Sequence, residues 1–164
     1  MPFTPFHLGP GLFLGLLFRK RINIIIFIIA NVIIDLEPFI MVILLRLNYP
    51  VHGYIHTFLA AVIVGLSLGY MLYLVKKPLR SIHEFFFNNI EYSDNVRACL
   101  LAGASGTVIH VLLDSPLYPD IKPFYPIAIN PLYNPSLTMP IYMTCIICGG
   151  IGLIYYIYIW WTHE

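Results

Sequence analysis

The sequence predicts an all-α protein, a polytopic membrane helical bundle of about five apolar segments with a proline-rich external loop. Three observations predict it. Of 164 residues 59% are hydrophobic and 10% charged, where a soluble domain carries about 25% charge. The apolar residues fall into runs bounded by basic clusters and prolines, and since a crossing takes about 20 apolar helical residues, the chain is filled by four to six of them. The last run ends in Trp160 and Trp161, the residue type that gathers where a membrane meets water. Residues 1–164 therefore read as one membrane-embedded domain.

The elements follow in order. Thr4 and Pro5 pair a capping hydroxyl with a proline at the first helical position, and a short first helix runs to Phe18 before Arg19, Lys20 and Arg21 end it. A second run, Ile22 to Leu45, is interrupted by Asp35, Glu37 and Pro38. After a polar hinge from Asn48 to His52, a third run extends from Tyr54 to Val75 and closes on Lys76, Lys77, Pro78 and Arg80. Segment 81–93 reads as amphipathic and interfacial. Ser93 and Asp94 look like the cap of a fourth helix reaching about Leu113, with the small residues Ala102 to Gly106 offering close helix approach. Residues Ser115 to Pro140 hold more than half of the thirteen prolines, which predicts an ordered but irregular loop. The fifth segment runs from about Ile141 to Trp161.

Gly11 and Gly15, and Gly65 and Gly69, each form a G-x-x-x-G, read as close packing within the bundle in preference to a dimer seam. Cys145 and Cys148 form a C-x-x-C without a second pair, and with Cys99 they read as small buried hydrophobes. The N-terminus has no positive residue ahead of its apolar run, so the first segment is expected to stay in the mature protein. A net charge of +1 supplies no basic field for phosphates, which removes nucleic acid as a main partner.

Orientation follows from the bases. Arg19, Lys20, Arg21, Lys76, Lys77, Arg80 and Arg97 fall on one side, and Arg46 and Lys122 on the other. By the positive-inside rule the C-terminus is cytoplasmic in a cell-membrane protein, with the N-terminus, the hinge and the proline-rich loop outside.

On that topology seven ionisable residues land in the outer half: His7, Asp35, Glu37, His52, His56, His110 and Asp114. Intramembrane acids and histidines are costly to bury and normally face named partners. His110 and Asp114 are four apart and share a helix face, as would His52 and His56 if their helix begins early enough. Pro38 disfavours helix at Glu37, so the chain can unwind there and aim both carboxylates at one place. Imidazole nitrogens and carboxylate oxygens without thiolate suit Zn²⁺, with Mn²⁺ or Fe²⁺ as alternatives, and the number of donors suffices for two ions. His83 and His163 fall on the cytoplasmic side and are poor candidates.

The order of these motifs carries a resemblance. An N-terminal histidine, Asp35-Leu36-Glu37-Pro38 inside an apolar run, His52 to Thr57 as H-x₃-H-T, and His110 to Asp114 as H-x₃-D before a proline-rich loop together resemble the YdjM-like family of membrane-bound, metal-dependent hydrolases, over about two-thirds of the chain. The resemblance implies an all-helical bundle distantly similar to zinc-dependent phospholipase C, with the seven residues as metal ligands. Two features depart from the family pattern: the usual histidine element is one residue longer and carries an arginine that His52-Gly53-Tyr54 lacks, and Glu37 stands where aspartate is commoner.

The expected function is metal-dependent hydrolysis of a phosphoester or related bond in a lipid or lipid-linked substrate at the outer leaflet. Glu37 is expected to be either a bridging ligand or the catalytic base. Tyr118, Phe124 and Tyr125 are expected to cover the site or anchor the loop at the interface, and Asp120 can join from the same loop. A metal or proton transporter, or a non-catalytic membrane scaffold, would use the same residues differently. Oligomeric state is not legible.

Overall fold

The computed structural model describes residues 5–44, 52–88 and 90–162. Thr4, Arg46, the first part of the polar hinge and His163 lie outside the described residues.

Among the described residues all regular structure is helical. A short 3₁₀ turn, Pro5–His7, leads into α1 (Leu8–Leu17). Helix α2 (Ile24–Ile33) starts where the Asn23 side chain accepts the Ile26 N–H at 3.1 Å, and continues through α3 (Leu36–Phe39) into a π-helical turn, Ile40–Leu44. Thr57 caps α4 (Phe58–Leu74) by accepting from Ala60 N. Helix α5 (Lys76–Phe86) follows, then α6 (Val96–Asp114) and α7 (Thr138–Thr162). The cap of α6 is Asn95, whose Oδ1 accepts from Ala98 N at 2.8 Å, one residue beyond the expected Ser93 and Asp94.

Three of these stretches are long and apolar enough to cross a membrane: Ile24–Ile43, Val96–Asp114 and Pro135–Thr162. A fourth arises if α4 is counted with the helix after it, from which it is bent by 90°. That is fewer than the five expected. The difference lies in two segments: α4 counts only together with the bent helix after it, and Pro5–Leu17 is apolar but too short, reaching at 1.5 Å per residue about 20 Å of a hydrocarbon core about 30 Å thick.

Helix α6 lies at the centre, against α4 on one side and α2 on another, while α1 packs on α2 and α7. Glycine makes the closest of these contacts. On α4, Gly65 and Gly69 face the backbone of Gly103 and Cys99 on α6, with no room for a Cβ, and Thr107 Oγ1 donates across to the Ala61 carbonyl at 2.7 Å. Gly11 and Gly15 of α1 face Asn31 and Ile24 of α2. Both G-x-x-x-G pairs are therefore used inside the bundle, as packing physics favours.

The bundle is polar at one end. The turn after α1 meets the segment before α6, with Ser93 N donating to Arg19 O and Asn23 N to Ala98 O, so Arg19, Arg21, Lys77, Arg80 and Arg97 gather at that end. Between it and the other end lies an apolar layer of Leu16, Ile24, Ile26, Phe27, Cys99 and Ala102, all buried.

Candidate metal centre

Helix α2 deforms as it approaches Asp35, and the cause is Pro38. A proline has no N–H to return to the carbonyl four residues earlier, and the chain responds by tightening: Asp35 N donates to Val32 O and Glu37 N to Ile34 O, both at 3.1 Å and both three residues back. With Asp35 N spent on Val32, the Asn31 carbonyl is released from the helix ladder. His110 Nδ1 donates to that carbonyl at 2.8 Å. The sequence reading expected unwinding at this point; what occurs is a local tightening, followed by the π-helical turn.

Because a carbonyl only accepts, His110 carries a proton on Nδ1, which leaves Nε2 as the nitrogen turned toward the acids. That Nε2 stands 3.5 Å from Asp35 Oδ1 and 3.4 Å from Asp114 Oδ2, and neither it nor Asp114 Oδ2 has a hydrogen-bond partner. His56 is held in the same way. Its Nδ1 donates to Glu37 Oε2 at 2.7 Å, and its Nε2 is buried without a hydrogen-bond partner. Asp35, His56, His110 and Asp114 each offer one ligand atom within 4.8 Å of the others, a group that can hold a metal ion. All four are at most 2% exposed.

Distances decide what such a group needs. Lone pairs on nitrogen and carboxylate oxygen repel when aimed at one another in a low dielectric, and two buried carboxylates add to the cost. A cation between them reverses the sign. Two ligands on one tetrahedral ion, each about 2.0–2.2 Å from it, are about 3.3–3.5 Å apart, the separation found around His110 Nε2.

The other candidates stand one hydrogen bond outside this group. His7 Nε2 donates to Asp114 Oδ1 at 3.0 Å and its ring lies 4.2 Å, centroid to centroid, from that of His110. Glu37 accepts from His56 and from the main-chain N–H groups of Ile55, at 3.2 Å, and Gly53. Gly53 is needed for that approach, since a Cβ there would come within 2.5 Å of Glu37 Oε1. Asp35 and Glu37 thus reach the same histidine-lined spot by different routes, Asp35 directly and Glu37 through His56.

Helix α4 begins at Phe58, too late for His52 and His56 to lie on one helical face, yet their rings meet edge-on at 4.7 Å. The proline-rich loop brings this about. Asp120 accepts from His52 N and from His52 Nδ1, each at 3.0 Å, and the Tyr118 ring covers the other face of His52 at 4.5 Å. Burial holds the His52 imidazole below its ordinary value, His56 adds to this, and Asp120 pulls the other way. Burial and the nearby Asp114 carboxylate push the Tyr118 phenol up, so it remains protonated. Asn130 Nδ2 fastens the loop by donating to Ser115 O at 2.7 Å and Tyr118 O at 3.0 Å. Phe124 and Tyr125 sit further out and are exposed.

The residue that sequence reasoning missed is Asn31. Its spacing of four from Asp35 places it on the same helix face, but the group in use is its carbonyl, and no side-chain motif reports a released carbonyl.

Comparison with protein-family models, with curated proteins and with solved structures finds no match to this chain.

Proposed function

We propose that the chain is a metal-dependent membrane hydrolase acting on a phosphoester or related bond of a lipid or lipid-linked substrate. One observation carries the proposal: His110 Nε2 faces two carboxylates at 3.5 and 3.4 Å, with a ligand nitrogen of His56 in the same group. Two nitrogens and two oxygens without sulfur favour Zn²⁺, with Mn²⁺ and Fe²⁺ next. A single divalent ion would neutralise Asp35 and Asp114, and a second ion would have to draw on His7 and His52, which stand outside that group. When bound there, the ion would supply Lewis acidity toward a phosphoryl oxygen and ease deprotonation of water.

The chain's own residues have separate tasks in this reading. Asn31 and Glu37 fix the tautomers and ring directions of His110 and His56, the outer hydrogen bonds that metal-binding histidines need. Glu37 is engaged by three N–H donors, which supports a positioning role ahead of the ligand or base role its place in the sequence suggests. The loop of Tyr118 and Asp120 closes over His52 and screens the site from water. The order of the motifs, similar to that of the YdjM-like hydrolases, points the same way. With the basic end taken as cytoplasmic, the site faces outside and substrate arrives along the bilayer.

A second reading is favoured by burial. Four protein ligands at most 2% exposed resemble a closed structural site, in which the ion fastens α2, α4 and α6 without reacting. Transport has less support, because the described buried residues between the site and the basic end include the apolar layer of Leu16, Ile24, Ile26, Phe27, Cys99 and Ala102.

The deciding experiment measures phosphate release from lipid phosphates in mixed micelles, together with Tm, for untreated, chelated and Zn²⁺-restored protein. The hydrolase reading expects release that disappears on chelation, returns with Zn²⁺ and is absent in Asp35→Asn. A fall in Tm on chelation with no release from any lipid phosphate would leave the structural reading.

A further inference from the structure

Away from the metal centre, the outer wall of the bundle carries a groove of about 280 Å³ between α1 and α6, floored by Phe27 of α2. Leu14 and Phe18 form one wall, Leu101 and Ile109 the other. The one hydroxyl in it is turned away, since Ser105 Oγ donates to the Leu101 carbonyl of its own helix. At the basic end the groove closes on Arg21, whose guanidinium engages no carboxylate among the described residues. From Leu101 to Ile109 the wall rises by about 12 Å along the helix, at 1.5 Å per residue.

We infer that this groove is a binding site for an anionic phospholipid, with an acyl chain lying against Phe18, Leu101 and Ile109 and the headgroup phosphate on Arg21. The occupant follows from charge and position. An apolar slot on the membrane-facing side of a bundle is filled by hydrocarbon, and hydrocarbon alone gives no selectivity between lipids. An unpaired guanidinium at its mouth does, because arginine matches a phosphate with paired, charge-assisted N–H donors. Its neighbour Arg19 is already occupied, donating to Tyr155 Oη at 2.8 Å and to Leu16 O at 3.1 Å, which leaves Arg21 as the cation of the groove. The headgroup sits at the opposite end of the bundle from the metal centre, in the leaflet on the basic side, so it marks a bound lipid of the fold and not a substrate. Neither the metal nor hydrolysis enters the inference.

The test is native mass spectrometry of the full chain released from detergent, with equimolar dioleoyl phosphatidylglycerol and dioleoyl phosphatidylcholine as probes. The wild type is expected to retain phosphatidylglycerol about tenfold over phosphatidylcholine, the size of one charge-assisted contact. Arg21→Gln should bring the two lipids level, while Lys20→Gln, a neighbouring base outside the groove lining, keeps the preference. Ser105→Trp, which fills the slot, should lower retention of both. Equal retention of the two lipids by the wild type, a preference surviving Arg21→Gln, or unchanged binding in Ser105→Trp would each overturn the inference.

Discussion

His110 donates from Nδ1 to the main-chain carbonyl of Asn31 across 2.8 Å, and through that one bond the backbone of α2 sets which nitrogen of a buried histidine faces the candidate centre. The carbonyl is available because Asp35 N has gone to Val32, a consequence of the missing N–H at Pro38. A proline on one helix thus positions an imidazole on another.

Pro38→Ala restores the N–H and lets Asp35 N return to Asn31 O. Zinc affinity is expected to fall about 10- to 100-fold, the usual cost of losing an orienting hydrogen bond, with Tm unchanged or higher. Competition titration against a chromogenic chelator measures it, and unchanged affinity would show that His110 is oriented by something else.

Glu37 holds His56 and the turn before α4 with three acceptor contacts. Glu37→Ala should weaken zinc by about 10- to 100-fold and lower Tm, because Gly53 and Ile55 lose their acceptor. Glu37→Gln keeps an acceptor oxygen and should recover part of both. A Gln variant with full affinity and no activity would instead return Glu37 to the role of base.

The glycines of α4 and α6 carry a stability prediction that is independent of the metal. Gly65→Leu or Gly103→Leu forces the two helices apart, and overpacking of this kind costs about 1–3 kcal/mol or more. A thermal scan in detergent should show a clear drop in Tm, with the oligomeric state unchanged since both glycines face inward. Loss of an oligomer with Tm intact would place the G-x-x-x-G at a seam between chains.

Sidedness is open to direct labelling. In a cysteine-free background, Ile129→Cys in the loop above the site should react with an impermeant maleimide from outside intact cells, and Arg80→Cys at the basic end should not. The reverse pattern would invert the topology and place the centre on the cytoplasmic side.

Much of the site was legible because burying charge is expensive. His7, Asp35, Glu37, His52, His56, His110 and Asp114 stand out in an apolar chain for that reason alone, and the structure gathers them at one end of the bundle. Their ranking was not legible. Whether Asp35 or Glu37 faces the centre depends on how the helix yields at Pro38, and a proline is compatible with tightening as well as unwinding. Asp120 reaches His52 only through the path of an irregular loop, which no periodicity encodes. The count of crossings failed at Pro5–Leu17 and at Phe58–Leu74, where apolar composition was clear and length was the weak point. The cap of α6 fell at Asn95 because Ser93 and Asp94 are equally good caps by type, and only geometry separates neighbours.

The central claim, that Asp35, His56, His110 and Asp114 hold a cation, is tested most directly by metal content. Elemental analysis of protein purified without chelator, beside a monodisperse His110→Ala, Asp114→Ala double variant, should find one or two equivalents of divalent transition metal in the first and a trace in the second. Equal metal in both, or none in the wild type even after incubation with Zn²⁺, would contradict it.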